Sequence, residues 1–390
     1  MEKDKTFVEG VHYATGRVIR LGISGGRIFS VTETGEYTGL LAGGTGRPPV
    51  IAPGLVDLQV NGYRGTDFND GALTPEQVEH LSRELLRTGV TRYFPTLITG
   101  PAERTIRNLR VIAEACGSGM AAALIGGIHL EGPFISPEDG PRGAHPSQYC
   151  TDPDPRLLEQ WQTASGWRIR ILTLAPELPG SMELIQACTE TGIIAAIGHT
   201  AAGSDDIRRA ADAGARLSTH LGNGCHRVLP RHPNCIWDQL AEDRLHASFI
   251  ADGIHLYDSV LRVFIRVKGK KAILVSDSMP YAGMAPGLYD SPATGKVRLT
   301  EEGRLHREGD PERLAGSAVI LLDGVRRAAE LEGFPVAWDM ASVHPAALLD
   351  PGSPRGLQVG APADLVLLDR PGEEARIIKV FRAGKEYRVT

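Results

Sequence analysis

The chain has 390 residues, a formal net charge of −5 and 42% hydrophobic residues, enough to bury a full core and to form one large domain with an accessory one. No apolar run reaches the ~18 residues a membrane span needs, the polar start MEKDKTFVEG is unlike a signal peptide, and a mildly acidic chain without a long basic tract offers nothing to nucleic acid. A cytoplasmic protein with neither a membrane nor a nucleic-acid partner is expected. Five cysteines (Cys116, Cys150, Cys188, Cys225 and Cys235) form an odd set without a Cys-x-x-Cys pair, which argues for buried or incidental thiols rather than a disulfide framework or a structural zinc site.

In chain order, the predicted elements begin with two short β-rich runs at 16–23 and 27–33, separated by Gly25-Gly26. Eight apolar runs follow, at 56–60, 92–98, 124–130, 169–174, 193–197, 217–219, 248–250 and 272–276. Helix-length segments lie between them, including 74–88 and 102–115. The segment after 193–197 opens with Ser204 as the expected N-cap and closes on Gly214, long enough for one crossover helix. Two more runs, 363–369 and 377–382, are flanked by Pro and Gly and resemble the beginning of the chain. Neither end offers enough strands to bury a face, so both are expected in one small β domain.

Eight strands alternating with helices over ~250 residues predict an α/β protein, a (β/α)8 TIM-like barrel whose active site lies at the carboxyl ends of its strands. The expected division is a barrel at 53–354 and a small β-sandwich domain built from 1–52 and 355–390. A doubly wound open sheet would instead require a glycine-rich phosphate turn after an early strand, and no convincing one is present.

Polar side chains cluster where the predicted strands end. The first carries Asp57, Gln59 and Asn61, the third His129 and Glu131, the fifth His199 and the sixth His220 and Asn223. The seventh runs into Asp252-Gly253-Ile254-His255 and the eighth ends at Asp277. Glu131, His199 and His220 offer one oxygen and two nitrogen donors, a set that leaves a fourth tetrahedral position open, as catalytic zinc sites do. A divalent cation held there would lower the pKa of water towards neutrality. Asp277 is suited to take a proton from that water and later return it to a leaving amine. His255 suits a donor to a substrate carbonyl oxygen, although Asp252-Gly253 equally permits a turn-anchored side chain.

The segments PGLVDLQVNG, HLEGPFIS, IGHTAA, THLGN, ADGIHL, LVSDS and GAPADLVLLD resemble the N-acetylglucosamine-6-phosphate deacetylase family of the amidohydrolase superfamily, over nearly the whole chain. The resemblance implies a (β/α)8 barrel with a β-sandwich from both termini, and hydrolysis of the acetamide of a 6-phosphorylated amino sugar to acetate and free amine. It matches Glu131, His199 and His220 to the metal ligands, Asp277 to the catalytic acid-base and His255 to a histidine beside the reacting acetamide. His145 matches a sugar-binding residue, and Asn223 with the Gly224 backbone matches phosphate contacts. Arg231 falls where the family places an arginine that reaches the phosphate from a neighbouring subunit, implying a homodimer; its planar fork suits phosphate oxygens.

Two-metal amidohydrolases usually carry His-x-His at the end of strand one, where Gln59 and Asn61 stand here. Neutral amides are weak ligands beside imidazole and carboxylate, so one divalent metal is expected, zinc first, with iron (Fe2+), manganese (Mn2+) and cobalt (Co2+) compatible. One departure concerns Leu221-Gly222-Asn223-Gly224-Cys225, where the family usually has an aromatic residue and then Asn-Ala. Two glycines allow closer backbone approach or a larger substrate, and His226, Arg227, Arg231 and His232 make the loop rich in donors for an anion. The alternatives are hydrolysis of another N-acylated amino sugar or a cyclic amide, and a non-catalytic sugar-phosphate sensor.

Overall fold

The structure is a computed structural model and describes residues 5–36, 48–291, 295–372 and 374–389. The chain opens with β1 (Thr6–His12), β2 (Arg17–Ser24), β3 (Arg27–Glu36) and β4 (Val50–Pro53). Eight parallel strands follow: β5 (Leu55–Val60), β6 (Val90–Ile98), β7 (Ile128–Glu131), β8 (Ile169–Leu174), β9 (Ile194–Ile197), β10 (Leu217–Ser218), β11 (His246–Ile250) and β12 (Ala272–Val275). They pair in sequence order. Helices α1 (Pro75–Arg87), α2 (Ala102–Ala115), α3 (Gly119–Leu124), α4 (Pro155–Ala164), α5 (Ser181–Glu190), α6 (Ser204–Ala213), α7 (Cys235–Ala241) and α8 (Asp258–Lys268) occupy the crossovers. This is the expected barrel. Its strands are almost wholly buried, as a parallel sheet covered by helices on one face and filled with side chains on the other must be.

Local chemistry sets where the elements start and stop. α1 follows a capping box in which the Thr74 side chain accepts from Gln77 N and the Gln77 side chain accepts from Thr74 N, with Pro75 at the first helical position. The third strand begins later than its apolar run suggests. The stretch GMAAAL becomes α3, as its alanines favour, and only after Gly126 and Gly127, the latter at φ 152, does β7 begin. The expected Ser204 cap is also corrected. Gly203 is the N-cap of α6 and its N–H is accepted by Asp206 Oδ2 at 3.2 Å, while the Ser204 hydroxyl donates to Asp238 on α7 at 2.8 Å. A carboxylate three residues into the helix has taken the capping role. Gly214 closes α6 in a left-handed conformation, as expected.

The barrel closes between β12 and β5 with little regular ladder, through a few backbone bonds supplemented by side chains. Asp57 Oδ1 accepts from Ser276 N at 3.2 Å, Ser276 Oγ donates to Gln59 O at 3.2 Å, and Asp277 N donates to Gln59 O at 3.0 Å. Burial pushes the Asp57 carboxyl up to about 7, against the hydrogen bonds it accepts from Ser276 and Gln59.

After β12 comes a feature absent from the predicted elements, a four-stranded antiparallel sheet of β13 (Gly287–Ser291), β14 (Gly295–Leu299), β15 (Leu305–Arg307) and β16 (Asp310–Leu314). Its inner residues Val297, Leu299 and Leu305 pack with Met279, Tyr281 and Ala315. Helices α9 (Leu321–Glu332), α10 (Phe334–Met340) and α11 (Val343–Leu349) lead to β17 (Leu365–Leu368), β18 (Ile377–Arg382) and β19 (Lys385–Arg388). These last strands join the first four in one seven-stranded sheet, in the order β19-β18-β17-β4-β1-β2-β3, so the two ends of the chain do meet. Trp338 donates to Pro53 O at 2.9 Å and Tyr13 to Asp339, fastening the sheet to the barrel. No helix is long and apolar enough to cross a membrane among the described residues.

His246, at the start of β11, and His344 on α11 lie together at the end of the barrel away from the rim; His344 Nδ1 meets Ala272 O at 2.7 Å. Burial, reinforced by Lys271, lowers His246 from its ordinary 6.5 to about 4. The unfolded chain therefore binds a proton between those values that the folded chain refuses, and stability falls as pH drops through the window. Denaturant midpoints from about pH 7 to about pH 5 are expected to show a loss on the order of 2 kcal/mol from this group. His246→Gln should flatten that slope.

Candidate active site

Three of the predicted site residues follow one local pattern. His199, His220 and Asp277 each stand two residues beyond the end of a barrel strand, and each has a positive φ, at 50, 32 and 48°. A side-chain-bearing residue held in that region costs about 1–3 kcal/mol. The conformation turns the chain sharply at the rim and leaves each side chain lining the cavity over the barrel mouth.

Neighbouring groups hold each turn. Glu177 accepts from Ala201 N at 2.6 Å and from the Thr200 hydroxyl at 2.5 Å, just after His199. The Ser248 hydroxyl accepts from His220 N at 2.8 Å and donates to Ser218 O. Asn61 Nδ2 donates to Asp277 Oδ1 at 2.8 Å.

Glu131, the last residue of β7, is the meeting point. Its Oε1 lies 2.8 Å from His220 Nε2 and 3.2 Å from His199 Nε2, and those two nitrogens are 3.2 Å apart. Around a tetrahedral ion with ligand bonds near 2.0–2.1 Å, adjacent donors are about 3.3 Å apart. The spacing and the N/N/O donor set therefore fit a divalent cation, and these three are the cluster of possible metal ligands among the described residues. His199 Nδ1 donates to Pro141 O at 2.8 Å, which fixes the tautomer that leaves Nε2 free to ligate. Burial would raise the Glu131 carboxyl, but the two imidazoles hold it well below its ordinary range. Burial would likewise lower His220, and the Glu131 carboxylate instead raises it. The same attraction would favour a metal ion held by the three donors.

Gln59 and Asn61 are second partners to the two carboxylates. Gln59 Nε2 donates to Glu131 Oε1 at 2.9 Å and Asn61 to Asp277. His129 lies inside the barrel rather than at the rim, between Leu58 O at 3.0 Å and the Thr173 hydroxyl at 2.7 Å. His255 is anchored as its turn suggested: Asp252 accepts from the backbone N–H of Ile254 and His255 through Oδ1, and its Oδ2 lies 2.6 Å from His255 Nδ1. The anchoring leaves His255 in the cavity lining, so a turn-fixed residue and a cavity-lining one are here the same. His145 is buried, 4.0 Å from Glu131 through Nε2.

The cavity has a volume of about 710 Å3 and is lined by His145, Asn223, Gly224, His255 and Asp277 beside the cluster, with Leu314 and Ala315 at the end of the antiparallel sheet forming another wall. Arg231 is exposed and does not line the cavity of its own chain. The two unusual glycines serve close approach. A Cβ on Gly224, at φ 58, would lie 3.0 Å from His199 Nδ1, and one on Gly222 would lie 2.8 Å from Leu256. The bulk removed there is replaced by the protein's own side chains. Arg227 does line the cavity; in sequence it stood out only as one basic residue in a loop of several.

A barrel with a Glu-His-His cluster at its carboxyl rim and an aspartate after its eighth strand defines the amidohydrolase class. The chain is 35% identical over 332 residues to the bovine (Bos taurus) N-acetylglucosamine-6-phosphate deacetylase, covering 82% of this chain and 80% of that one. It is 34% identical over 328 residues to the Bacillus subtilis enzyme of the same name, with the same coverage. An N-acetylgalactosamine-6-phosphate deacetylase of Escherichia coli O157:H7 is 31% identical over 82% of this chain and 84% of its own. Among solved structures, the Mycobacterium smegmatis N-acetyl-D-glucosamine-6-phosphate deacetylase superposes with a TM-score of 0.85 at 29% identity, over 98% of this chain and 99% of that one. No family model matches the sequence. The chain belongs to the N-acetylglucosamine-6-phosphate deacetylase family.

Asp277 is buried but faces the cavity, and burial together with the nearby Glu131 charge pushes its carboxyl up to about 6, against the pull of His220, His255 and Asn61. Its raised folded value means that ionisation costs the fold stability, a cost complete above about pH 6. In metal-free protein near neutrality, Asp277→Asn is expected to raise the unfolding free energy on the order of 1–3 kcal/mol in a urea titration.

Proposed function

We propose that this chain hydrolyses the acetamide of N-acetylglucosamine 6-phosphate to glucosamine 6-phosphate and acetate. The observation that carries the reading is the convergence of Glu131, His199 and His220 within reach of Asp277 in one cavity of a chain of this family. A divalent cation held by those three would act as a Lewis acid and make water more acidic. Asp277 removes a proton from the attacking water, and as the carbon–nitrogen bond breaks it returns that proton to the departing amine. His255, fixed by Asp252, donates to the acetamide carbonyl oxygen as negative charge develops there. His145 contacts the sugar, and Asn223, the Gly224 backbone and Arg231 bind the phosphate and orient the acetamide.

We read the metal as a single zinc ion. Gln59 and Asn61, where two-metal relatives of the superfamily carry histidines, are engaged as donors to Glu131 and Asp277, and the ligand set suits zinc. The partner we infer is a second copy of the chain, with Arg231 contributed across the interface. Val228, on the Arg231 loop, is 88% exposed, and Trp237 on α7 and Tyr257 just before α8 are 51% and 77% exposed, apolar surface of the kind that oligomers cover. Five free cysteines fit a reducing cytoplasm.

Purified protein is expected to release acetate from N-acetylglucosamine 6-phosphate, to lose that activity on chelation and to regain it with zinc. Turnover indifferent to chelation would refute the metal-dependent reading. Asp277→Asn should keep its metal and lose about 10² to 10⁴ in kcat. The N-acetylgalactosamine 6-phosphate enzyme among the relatives makes that epimer the second substrate to assay, and a higher kcat/KM for it would reassign the hexose while leaving the chemistry intact.

A further inference from the structure

The lining of the cavity poses an electrostatic problem. Five carboxylates line it, Glu131, Asp139, Asp277, Asp310 and Glu312, whereas the substrate read above carries a phosphate. A doubly charged anion entering an acidic cavity is repelled unless a cation meets it. Among the described lining residues, Arg227 is the single lysine or arginine. It lies four residues beyond Asn223 and three beyond Gly224 on the same loop, and both of those line the cavity too. Arg231 does not.

The hydrogen bonding of Arg227 is consistent with a residue aimed at an anion. Its Nη2 donates to the backbone carbonyl of Glu312 on β16 at 2.9 Å, which braces the guanidinium against the opposite wall. The side chain is exposed, its other N–H groups make no hydrogen bond among the described residues, and no carboxylate pairs with it there, unlike Arg142, which pairs with Asp139. An arginine fixed through one nitrogen presents the remaining fork to paired phosphate oxygens, the geometry that distinguishes it from lysine.

We propose that Arg227 binds the substrate phosphate within its own chain and sets the preference for phosphorylated over unphosphorylated sugar. This rests on the deacetylase reading for the identity of the substrate, but not for the binding of the phosphate. It gives the site a cation of its own before any residue of a second copy is added. The contact with Glu312 then couples phosphate binding to the antiparallel sheet that walls the cavity.

The experiment compares wild type, Arg227→Ala and Arg227→Lys, each loaded with zinc, on N-acetylglucosamine 6-phosphate and on N-acetylglucosamine. In parallel, calorimetry measures binding of glucosamine 6-phosphate and of glucosamine, which needs no turnover. Arg227→Ala is expected to raise KM for the phosphorylated substrate about tenfold to a hundredfold, with kcat within about twofold and the unphosphorylated substrate unaffected; Arg227→Lys should recover part of the loss. The calorimetric margin between glucosamine 6-phosphate and glucosamine should shrink by the same factor. A margin unchanged in Arg227→Ala, or equal losses with both sugars, as a purely structural brace would give, overturns the proposal. If wild type binds glucosamine 6-phosphate through Arg227 yet releases no acetate, the deacetylase reading falls and the phosphate site stands.

Discussion

Two imidazole nitrogens and a carboxylate oxygen held within 3.2 Å of one another at a buried rim are the constraint around which this molecule is arranged. Donor atoms do not gather so closely in a dry environment unless a cation or a proton lies between them. The barrel supplies the force that keeps them there. Each histidine sits on a turn that a side chain disfavours, so the free energy of packing eight strands and their helices is partly stored as local strain at the carboxyl rim. Such strain persists only where the surroundings over-determine it, and here the Glu177 and Ser248 bonds do so.

The same logic runs through the closure of the barrel. Where β12 meets β5, a few backbone bonds are supplemented by side-chain bonds from Asp57, Ser276 and Asn61, one of them to the Gln59 carbonyl. Two of those residues, Gln59 and Asn61, also touch Glu131 and Asp277. The seam and the site are therefore one hydrogen-bonded network, and the position of the Asp277 carboxylate is fixed by the way the barrel shuts. Neutral amides in this network donate to carboxylates without adding charge.

Much of this was legible in the residues. Buried parallel strands must be apolar, and each of the eight runs contains or overlaps a strand; polar side chains just beyond their ends stand out against that background, which is why Glu131, His199, His220 and Asp277 could be named together. The start of β7 was misplaced because an alanine-rich run suits helix and strand alike until Gly126 and Gly127 interrupt it. The sheet at 287–314 had no signature, since strands such as GKVRL bury only Val297 and Leu299 and carry charge elsewhere. Arg227 was inconspicuous for a different reason. What distinguishes it from Arg231 is the wall it leans on, Glu312, which lies 85 residues away and is set beside it by a sheet with no sequence signal.

The seven-stranded sheet has β4, made of residues 50–53, flanked on one side by β1 and on the other by β17, made of residues 365–368. During synthesis from the amino end, β4 emerges more than three hundred residues before the strand that covers its second edge. Until then it is an apolar strand, fully buried in the finished protein, with unpaired backbone groups along one side, the kind of edge that invites association with other chains. The barrel that follows can assemble from neighbours in sequence, each strand pairing with the one just made. The order of birth thus separates the two parts of the molecule: the catalytic body matures as it is translated, and the sheet that joins the chain ends is completed last.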